Sequence, residues 1–300
     1  MRVVVAVGGK ALLDPPDSSA STGTFGKAAQ ALLPLSGHEL VIVPGCQLGT
    51  DRLSEPGQDL DIELARAQGE IGYRLSQNLD RAGAQRTTVA LLTRTVVDRG
   101  DPAFSRPRRF VGPAYPAAAV PGLVADRGWT MSAAGAGLRR VVAAPAPVEV
   151  PETGPIELLL SAGHNVVCAG GGGVPVAADD VAGEQSGVCA VVDADLVAAH
   201  LAIELQADRL LLLTDVTGIH ADWGSERNRL LRHVSCAKLS AMPLPELSMG
   251  VKARAGQLFT SLTGRPSAIG ALSEAAAVLE GAAGTRISST RCSAYLPPER

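Results

Sequence analysis

Four consecutive glycines, Gly170 to Gly173, constrain this chain more than any other part of its sequence. They follow the apolar run Val166–Ala169 and precede Val174-Pro175-Val176. Such a run destabilises a strand or a helix, because glycine loses the most backbone freedom on folding. It suits a turn whose backbone N–H groups point at an anion with no Cβ in the way. The sequence therefore predicts a strand that ends in an anion-binding turn, with a flexible loop as the alternative.

A second junction between an apolar run and glycines strengthens the anion-binding interpretation. Gly8 and Gly9 come directly after the run from Arg2 to Val7. In open α/β sheets, phosphate and carboxylate groups bind just outside the carboxyl ends of the strands. We therefore predict that the two junctions lie at opposite ends of one binding site, where they contact the anionic groups of the ligands.

The charge balance argues against partners that bind through broad electrostatic attraction. The chain has 27 basic and 30 acidic residues and a net charge of -3, which favours neither nucleic acid nor an anionic membrane. Aromatic residues make up only 3%, too few for the stacking platforms that bind single-stranded nucleic acid. No apolar stretch reaches membrane-spanning length, and the first residues resemble a strand rather than a signal peptide. We expect a cytoplasmic protein with no nucleic-acid or membrane partner.

The cysteines do not predict a metal site. They are scattered, and none forms a CxxC pair or a Cys/His cluster with zinc spacing. The five are Cys46, Cys168, Cys189, Cys236 and Cys292. We therefore expect no metal ligands from the chain itself.

Apolar runs that alternate with helical patterns predict the fold class. Near-continuous apolar strands between helices indicate a parallel sheet covered on both faces, in a three-layer α/β/α sandwich. The predicted strands are 3–7, 40–43, 88–93, 166–169, 188–192 and 210–214, and the predicted helices are 62–79, 196–205 and 251–262.

Two proline-rich stretches interrupt this alternation. We interpret residues 99–122 as a long ordered loop and residues 143–155 as an extended connector between two lobes. The segment between them, about 123–142, is predicted to form a small protruding appendage with a strand pair. The chain, long enough for one large or two medium domains, is thus divided into lobes 1–155 and 156–287 and a polar tail, 288–300.

Neither common nucleotide-binding signature is present. There is no GxxxxGK[ST] motif, so the chain does not resemble a P-loop protein. Asp193 follows the glycine run at roughly the Rossmann spacing, but the first strand lies mid-chain, and a dehydrogenase is disfavoured.

Instead, several short motifs follow predicted strands or begin helices. They supply two lysines, several carboxylates and backbone donors, which is most of what phosphoryl transfer from ATP requires. They are Gly8-Gly9-Lys10, Gly170–Gly173, Asp193-Ala194-Asp195, Thr214-Asp215-Val216-Thr217-Gly218 and Ser248-Met249-Gly250-Val251-Lys252. Asp215 could be a turn residue and Lys252 a solvated lysine. A lysine in a first helical turn opposes the helix dipole, however, so we expect Lys252 to have an anionic partner.

These motifs resemble the amino acid kinase superfamily, and most closely its carbamate kinases. The similarity runs in order over almost the whole chain. The segments that carry it are 5–9, 67–73, 95–98, 101–104, 111–113, 139–142, 170–176, 193–196, 213–218, 248–252 and 284–287.

The resemblance implies an open, largely parallel eight-stranded sheet and a homodimer that uses ATP or ADP with Mg²⁺. The lobe 156–287 would bind the nucleotide, and the lobe 1–155 a small anionic acceptor. By this resemblance Asp195 and Lys252 are catalytic residues, and we hypothesise that Lys10 is a third. The nucleotide-binding residues are Thr214, Asp215, Val216, Gly218, Met249, Gly250 and Lys252. The residues around the transferred phosphoryl group or the acceptor are Gly8, Gly9, Gly45 and Gly170, Gly171, Gly172 and Gly173.

The chain departs from the carbamate kinase pattern in the residues closest to the chemistry. Lys10 replaces an asparagine, and Ala194 replaces a lysine between two aspartates. The acceptor loop is shortened to 44–49, and the appendage has Ser132-Ala133-Ala134 and Ala136 in place of a Lys-Glu-Asp segment and an arginine. We hypothesise that Lys10 supplies the charge of the missing lysine.

The altered acceptor residues also affect the prediction of the substrate and of catalytic activity. They favour an acceptor other than carbamate, such as another carboxylate, a phosphonate or a phosphate. The alternative is a non-catalytic relative that binds nucleotide or an effector as a regulatory subunit. We favour a kinase, because the nucleotide-binding motifs are retained.

Overall fold

The computed structural model describes residues 1–12, 23–45, 59–135, 137–178, 185–224, 227–245 and 248–289. Within these ranges the strands are β1 (Arg2–Val7), β2 (Glu39–Pro44), β3 (Thr88–Ala90), β4 (Arg94–Val96), β5 (Arg109–Tyr115), β6 (Thr130–Ala134), β7 (Gly137–Val142), β8 (Asn165–Val167), β9 (Val174–Ala178), β10 (Gln185–Gly187), β11 (Arg209–Thr214), β12 (His220–Ala221), β13 (Arg229–Leu230), β14 (His233–Ser235), β15 (Ser267–Ala271) and β16 (Thr285–Ser288). The α-helices are α1 (Thr24–Leu32), α2 (Leu60–Arg81), α3 (Val120–Arg127), α4 (Thr153–Ser161), α5 (Ala194–Glu204), α6 (Cys236–Ser240), α7 (Met249–Thr263) and α8 (Ala275–Glu280).

An eight-stranded sheet in the order β14-β16-β15-β11-β1-β2-β8-β3 forms the centre of the fold. Each pair of neighbouring strands in it is parallel except β15 and β16. The predicted open, largely parallel eight-stranded sheet is therefore confirmed. Between their end residues, the middle strands β1, β2 and β11 are apolar and buried because both of their faces are covered.

Side chains alternate between two cores along the central strand β1. Val4 and Ala6 lie in one core and Val3, Val5 and Val7 in the other, and all five are at most 1% exposed. Buried apolar residues of α4, α5 and α7 belong to the first core. Those of α1, α8 and the second half of α2 belong to the second core, whereas Leu60 and Leu64 at the start of α2 lie in a separate small cluster. This arrangement confirms the predicted three-layer α/β/α sandwich.

Five of the six predicted strands and all three predicted helices are present, although β3 ends at Ala90 rather than Thr93. The sixth prediction, a strand over 188–192, is wrong. Only Ala190 pairs there, in an isolated bridge with Ala143. All residues of the run except Cys189 are buried, because the run packs against the glycine turn and leads into α5. An apolar run can therefore be buried without pairing as a strand.

The predicted long loop over 99–122 is also wrong in part. It contains β5, which pairs with β7, and β7 pairs with β6 in a three-stranded antiparallel sheet. The predicted strand pair within 123–142 is confirmed as β6 and β7. We call the three strands and α3 the appendage.

The predicted connector 143–155 is extended at Val148 and Glu149, but its end is not, because residues 151–152 form a turn and α4 begins at Thr153. The Val148 N–H donates to the carbonyl of Val96, and the Val96 N–H donates to the carbonyl of Glu149, both at 2.8 Å. Beyond the connector, β8 lies between β2 and β3, so the main sheet runs across the predicted division into lobes. That division stays a prediction, and most of the predicted tail lies outside the described residues. Within the described ranges, no helix has the length and apolar character needed to cross a membrane.

Candidate active site

A cavity of about 830 Å³ opens at the carboxyl ends of the central strands β1 and β11. Parallel strands bring their carboxyl ends to one edge of a sheet, so segments far apart in sequence meet there. Of the predicted site residues, it is lined by Gly8, Gly9, Lys10, Gly45, Gly171, Asp195, Thr214, Asp215, Val216, Gly218, Met249 and Lys252. The cavity therefore unites both sequence-predicted sets, from the two halves of the chain.

A buried ion pair lies in this cavity wall. Lys252 is in the first turn of α7, and its Nζ lies 2.8 Å and 2.9 Å from the two carboxylate oxygens of Asp195 in the first turn of α5. The two side chains are only 11% and 13% exposed. Burial raises the pKa of the Asp195 carboxyl, and the Lys252 ammonium opposes part of that rise. The predicted anionic partner of Lys252 is confirmed, and the lysine is not a solvated one.

Glycine backbone from two strand ends adjoins this ion pair. The Gly8 N–H donates to the carbonyl of Leu213 at 2.8 Å, and a Cβ added at Gly8 would lie 3.6 Å from Lys252 Nζ. A Cβ at Gly45 would lie 2.6 Å from the Gly9 nitrogen, so these two backbones touch at the ends of β1 and β2. Side chains at Gly8 and Gly45 would push the ends of β1 and β2 away from the Lys252 ammonium group. The rest of the predicted acceptor loop, 46–49, lies outside the described residues.

Lys10 also lines the cavity, and it differs from Lys252 in having no partner among the residues that the structure describes. Its side chain is exposed and makes no hydrogen bond or ion pair with any part of the chain that the structure describes. Asp195 therefore orients Lys252 and not Lys10.

The four-glycine run has a different role from the one its sequence suggests. Of the four, only Gly171 lines the cavity. Gly172 and Gly173 have positive φ values of 95° and 78°, and an added Cβ would overlap the carbonyl oxygen of Val192 or the hydroxyl of Thr95, respectively. Gly170 packs on α2, where its Cβ would lie 3.3 Å from a side-chain carbon of Gln68. Close packing therefore requires most of these glycines, and one of them faces the cavity.

Hydrogen bonds hold the glycine turn in place and contradict the flexible-loop alternative. The Thr95 hydroxyl donates to the carbonyl of Gly172 at 2.7 Å. The Ala169 N–H donates to the Thr93 hydroxyl at 3.0 Å, and Thr93 is bound in turn by the buried amide of Gln68. Gln68 is a residue that the sequence reasoning did not place at the site.

The predicted nucleotide residues surround the opposite side of the cavity, after β11. The Thr214 hydroxyl donates to Asp215 Oδ1 at 2.9 Å within this segment. Gly218 packs closely, since its Cβ would lie 2.7 Å from the Thr285 hydroxyl. Gly250 does not line the cavity. It packs on Pro245, whose carbonyl accepts the Gly250 N–H at 2.9 Å.

Further residues that the sequence reasoning missed complete the wall. The appendage contributes a basic group, and the nucleotide side contributes an aromatic and apolar one. They are Arg108, Arg109, Phe110 and Arg139 on the first side, and His220, Trp223, Leu244 and Pro245 on the second. The clustered arginines of the segment 106–109 were a signal in the sequence, whereas nothing local showed that this strand would fold over the cavity.

The described residues contain no group of three His, Cys, Asp or Glu side chains that could hold a metal ion. In the cavity, Asp195 binds Lys252, and Asp193 caps α5 by accepting the Asp195 N–H at 2.9 Å. Asp215 is the cavity carboxylate that has no cationic partner among the residues described.

Comparisons with known proteins agree with this geometry. The model of the amino acid kinase family matches residues 1–260. The carbamate kinase of Escherichia coli O6:H1 is 39% identical over 95% of this chain and 99% of its own length, and that of Rhizobium meliloti is 37% identical over 97% and 94%. A solved structure of carbamate kinase from Giardia lamblia bound to AMP-PNP superposes with a TM-score of 0.85, at 32% identity, over 95% of this chain and 98% of that one. The chain therefore belongs to the amino acid kinase family, as a carbamate kinase-like phosphotransferase.

Proposed function

We propose that this protein transfers a phosphoryl group between ATP and carbamate. The observation that carries the proposal is the Lys252–Asp195 ion pair, which lies beside the glycine backbone at the end of β1 in a cavity walled by both halves of the chain. The carbamate kinases named above support this acceptor over the other carboxylates, phosphonates or phosphates that the altered residues suggested.

The reaction is a single displacement at phosphorus. A carbamate oxygen forms a bond to the γ-phosphorus while the bond from phosphorus to the bridging oxygen of ADP breaks, and ADP leaves with that electron pair. No proton is consumed, and the reverse reaction makes ATP from carbamoyl phosphate and ADP. Catalysis then depends on positioning and on cations that stabilise the phosphoryl oxygens.

The chain's own groups fit these tasks. Lys252, held by Asp195, contributes a fixed positive charge beside the transferred group. Backbone N–H groups of Gly9 and Gly171 can face its oxygens without interference from side chains. In the proposed division of labour, lobe 156–287 binds the nucleotide and lobe 1–155 binds carbamate.

Lys10 is proposed to supply a second charge. It replaces the lysine that the resemblance implies at the position of Ala194. An exposed ammonium without a partner among the described residues is available to an anionic ligand, as this role requires.

The nucleotide lies on the other side of the cavity in this proposal. Thr214, Asp215, Val216, Gly218 and Met249 would contact it. Trp223 offers a ring face on which the nucleotide base can stack. The side chain is 65% exposed, and its ring centroid lies 5.1 Å from that of His220 in an edge-to-face contact.

Magnesium fits as an ion carried by the nucleotide. Mg²⁺ commonly binds through one or two carboxylates, water and substrate phosphates rather than in an all-protein cage. Asp215, without a cationic partner in the described part of the chain, is the carboxylate that would hold it there. The ion would neutralise charge on the phosphate oxygens. We further propose a homodimer, by analogy with the family.

The test measures ATP formation from ADP and carbamoyl phosphate by the purified protein, with luciferase as the detector of ATP. Carbamate, small carboxylates and phosphonates are then compared as acceptors of ATP. Lys252→Ala should lower the rate by about 100-fold or more, because one fixed donor to the transition state is lost. Lys238→Ala, an exposed lysine on α6, is the matched control and should keep the wild-type rate. If wild type and Lys252→Ala are equally inactive with every acceptor, the non-catalytic alternative replaces this proposal.

A further inference from the structure

Two segments of the amino acid kinase pattern, 67–73 and 95–98, contribute no residue to the cavity wall. Each nevertheless places one buried polar side chain against the glycine turn, residues 169–173. Gln68 is 3% exposed, and Thr95 is fully buried. A buried polar group lowers stability unless it is hydrogen-bonded, so the partners of these two side chains indicate their role.

Thr93 holds both ends of the glycine turn. The residue is fully buried between β3 and β4. Its hydroxyl accepts the N–H of Ala169, at the start of the turn, at 3.0 Å. Its carbonyl accepts the N–H of Val174, just after the turn, also at 3.0 Å. One residue therefore sets the distance across which the four glycines must close.

Gln68 in turn fixes Thr93 with three hydrogen bonds. Its Oε1 accepts both the Thr93 N–H and the Thr93 hydroxyl at 3.0 Å, and its Nε2 donates to the Thr93 carbonyl at 3.1 Å. A hydroxyl has a single proton to donate. Because Gln68 accepts that proton, the Thr93 hydroxyl presents only lone pairs to Ala169 and must act as an acceptor there. The amide of Gln68 thus decides how Thr93 binds the turn.

The turn needs this support because its own conformation is unfavourable. Ala169 has φ of 49°, in the left-handed region, where a residue with a Cβ persists only if its surroundings hold it. Glycine has wide conformational freedom, so the run that follows does not fix its own shape. The N–H groups of Gly172 and Gly173 bond to carbonyls within the turn at 2.8 Å and 3.3 Å. The N–H of Gly171, the glycine that lines the cavity, has no acceptor among the described residues.

We infer that Gln68 is a positioning residue for phosphoryl transfer, which acts through Thr93 to hold the Gly171 N–H toward the transferred group. The inference rests on the proposed function and adds to it a buried layer of side chains beneath the site. A backbone donor contributes most to a transition state when it is fixed before the reaction, because no reorganisation is then needed. Thr95, whose hydroxyl donates to the Gly172 carbonyl at 2.7 Å, supports the same turn from β4.

The experiment measures kcat and KM of Gln68→Met and Thr93→Val in the assay for ATP formation from carbamoyl phosphate and ADP, per mole of folded protein. Methionine resembles glutamine in length and valine resembles threonine in shape, but neither can make these hydrogen bonds. Both variants should lower kcat by about 10- to 100-fold, because a displacement of about 1 Å at a reacting group can cost 100-fold. KM for ADP should change by less than about 2-fold, because ADP lacks the transferred group.

Two more variants test the route through Thr93. Thr93→Ser keeps the hydroxyl that Gln68 and Ala169 share, so its kcat should stay within about 3-fold of wild type. The double variant Gln68→Met/Thr93→Val should be no slower than the slower single variant, because both changes release the same turn. Losses of kcat that multiply would assign the two residues separate roles and contradict the inference.

Leu79→Ala is the control for a general loss of stability. Leu79 lies further along α2 than Gln68, is 1% exposed and packs in the second core. Removing its side chain leaves a cavity that lowers Tm at a place separate from the glycine turn. Its kcat per mole of folded protein should match that of wild type. An equal fall of kcat in Leu79→Ala and Gln68→Met would overturn the inference, since stability alone would then explain the loss.

The outcomes distinguish this inference from the function on which it rests. A wild-type protein that forms no ATP refutes the proposed function and this inference with it. An active wild type with an equally active Gln68→Met protein overturns the inference alone. If Gln68→Met does not fold, the comparison of Thr93→Ser with Thr93→Val decides, and equal kcat values for these two overturn it.

Discussion

Replacing Gly172 by alanine tests whether packing requires the glycine run. The residue has φ of 95°, in the left-handed region, and its added Cβ would overlap the carbonyl oxygen of Val192 and lie 2.7 Å from the carbonyl carbon. Both atoms belong to backbone that leads directly into Asp193, the cap of α5. No side-chain rotation relieves the contact, so the turn or the start of α5 must move.

Two costs set the size of the effect. A residue with a Cβ in the left-handed region of backbone conformation reduces the stability of the folded state by about 1–2 kcal/mol. Forcing an atom into a packed site costs about 1–3 kcal/mol more. The free energy of unfolding should therefore fall by about 2–5 kcal/mol, which lowers Tm by about 3–8 °C in a chain of this size. Activity should fall as well, because the displaced segment carries Asp195.

Thermal unfolding of Gly172→Ala beside Gly69→Ala measures this cost. Gly69 lies inside α2, and a Cβ there meets no atom within 4 Å, so the same chemical change should stabilise by about 0.5–1 kcal/mol. Opposite signs for the two variants support the packing argument. A Gly172→Ala protein as stable as Gly69→Ala would refute it.

Two further predictions concern Lys10 and Gln68. Lys10→Ala should lower kcat for ATP formation by about 100-fold with little change in Tm, because it removes a proposed phosphoryl-binding charge from an exposed position. Lys27→Ala, an exposed lysine on α1, should be unaffected, and a Lys10→Ala protein as active as wild type contradicts the role. Gln68→Leu should reduce stability by about 1–3 kcal/mol for each of the two Thr93 donors left without an acceptor. Thermal unfolding of Gln68→Leu against Gln77→Leu on the same helix checks this, and equal Tm values would contradict it.

The main elements of the fold were predictable because their signals are local. Val3–Val7 and Leu210–Thr214 are continuous apolar runs, and such runs are buried on both faces in a parallel sheet. The strands β15 and β16 escaped prediction because their residues are small or polar, and β15 owes its strand conformation to its neighbours. The run at 188–192 shows the opposite error, since four of its five residues are buried without forming a strand.

Within the candidate site, some residues were predicted from the sequence and others were missed. The motifs that contain Asp195 and Lys252 were recognisable in the sequence, and the demand of a first-turn lysine for an anion anticipated their pairing. Arg109 was missed although arginines cluster in its segment, because that segment was interpreted as a loop. Gln68 was missed as well, because its position on α2 does not indicate that it supports the glycine turn through Thr93.

The sequence alone determined the central strands of the sheet, three of the helices that cover it, and the strand-end motifs of a phosphotransferase, because hydrophobic periodicity and glycine placement act over a few neighbouring residues. Only the tertiary structure decided which groups share the cavity. It turned three of the four glycines from an expected anion cradle into packing residues against Val192, Thr95 and Gln68. It also brought Arg109 from a separate small sheet to Asp193. These contacts join residues tens of positions apart, and their energies depend on distances that no local pattern specifies.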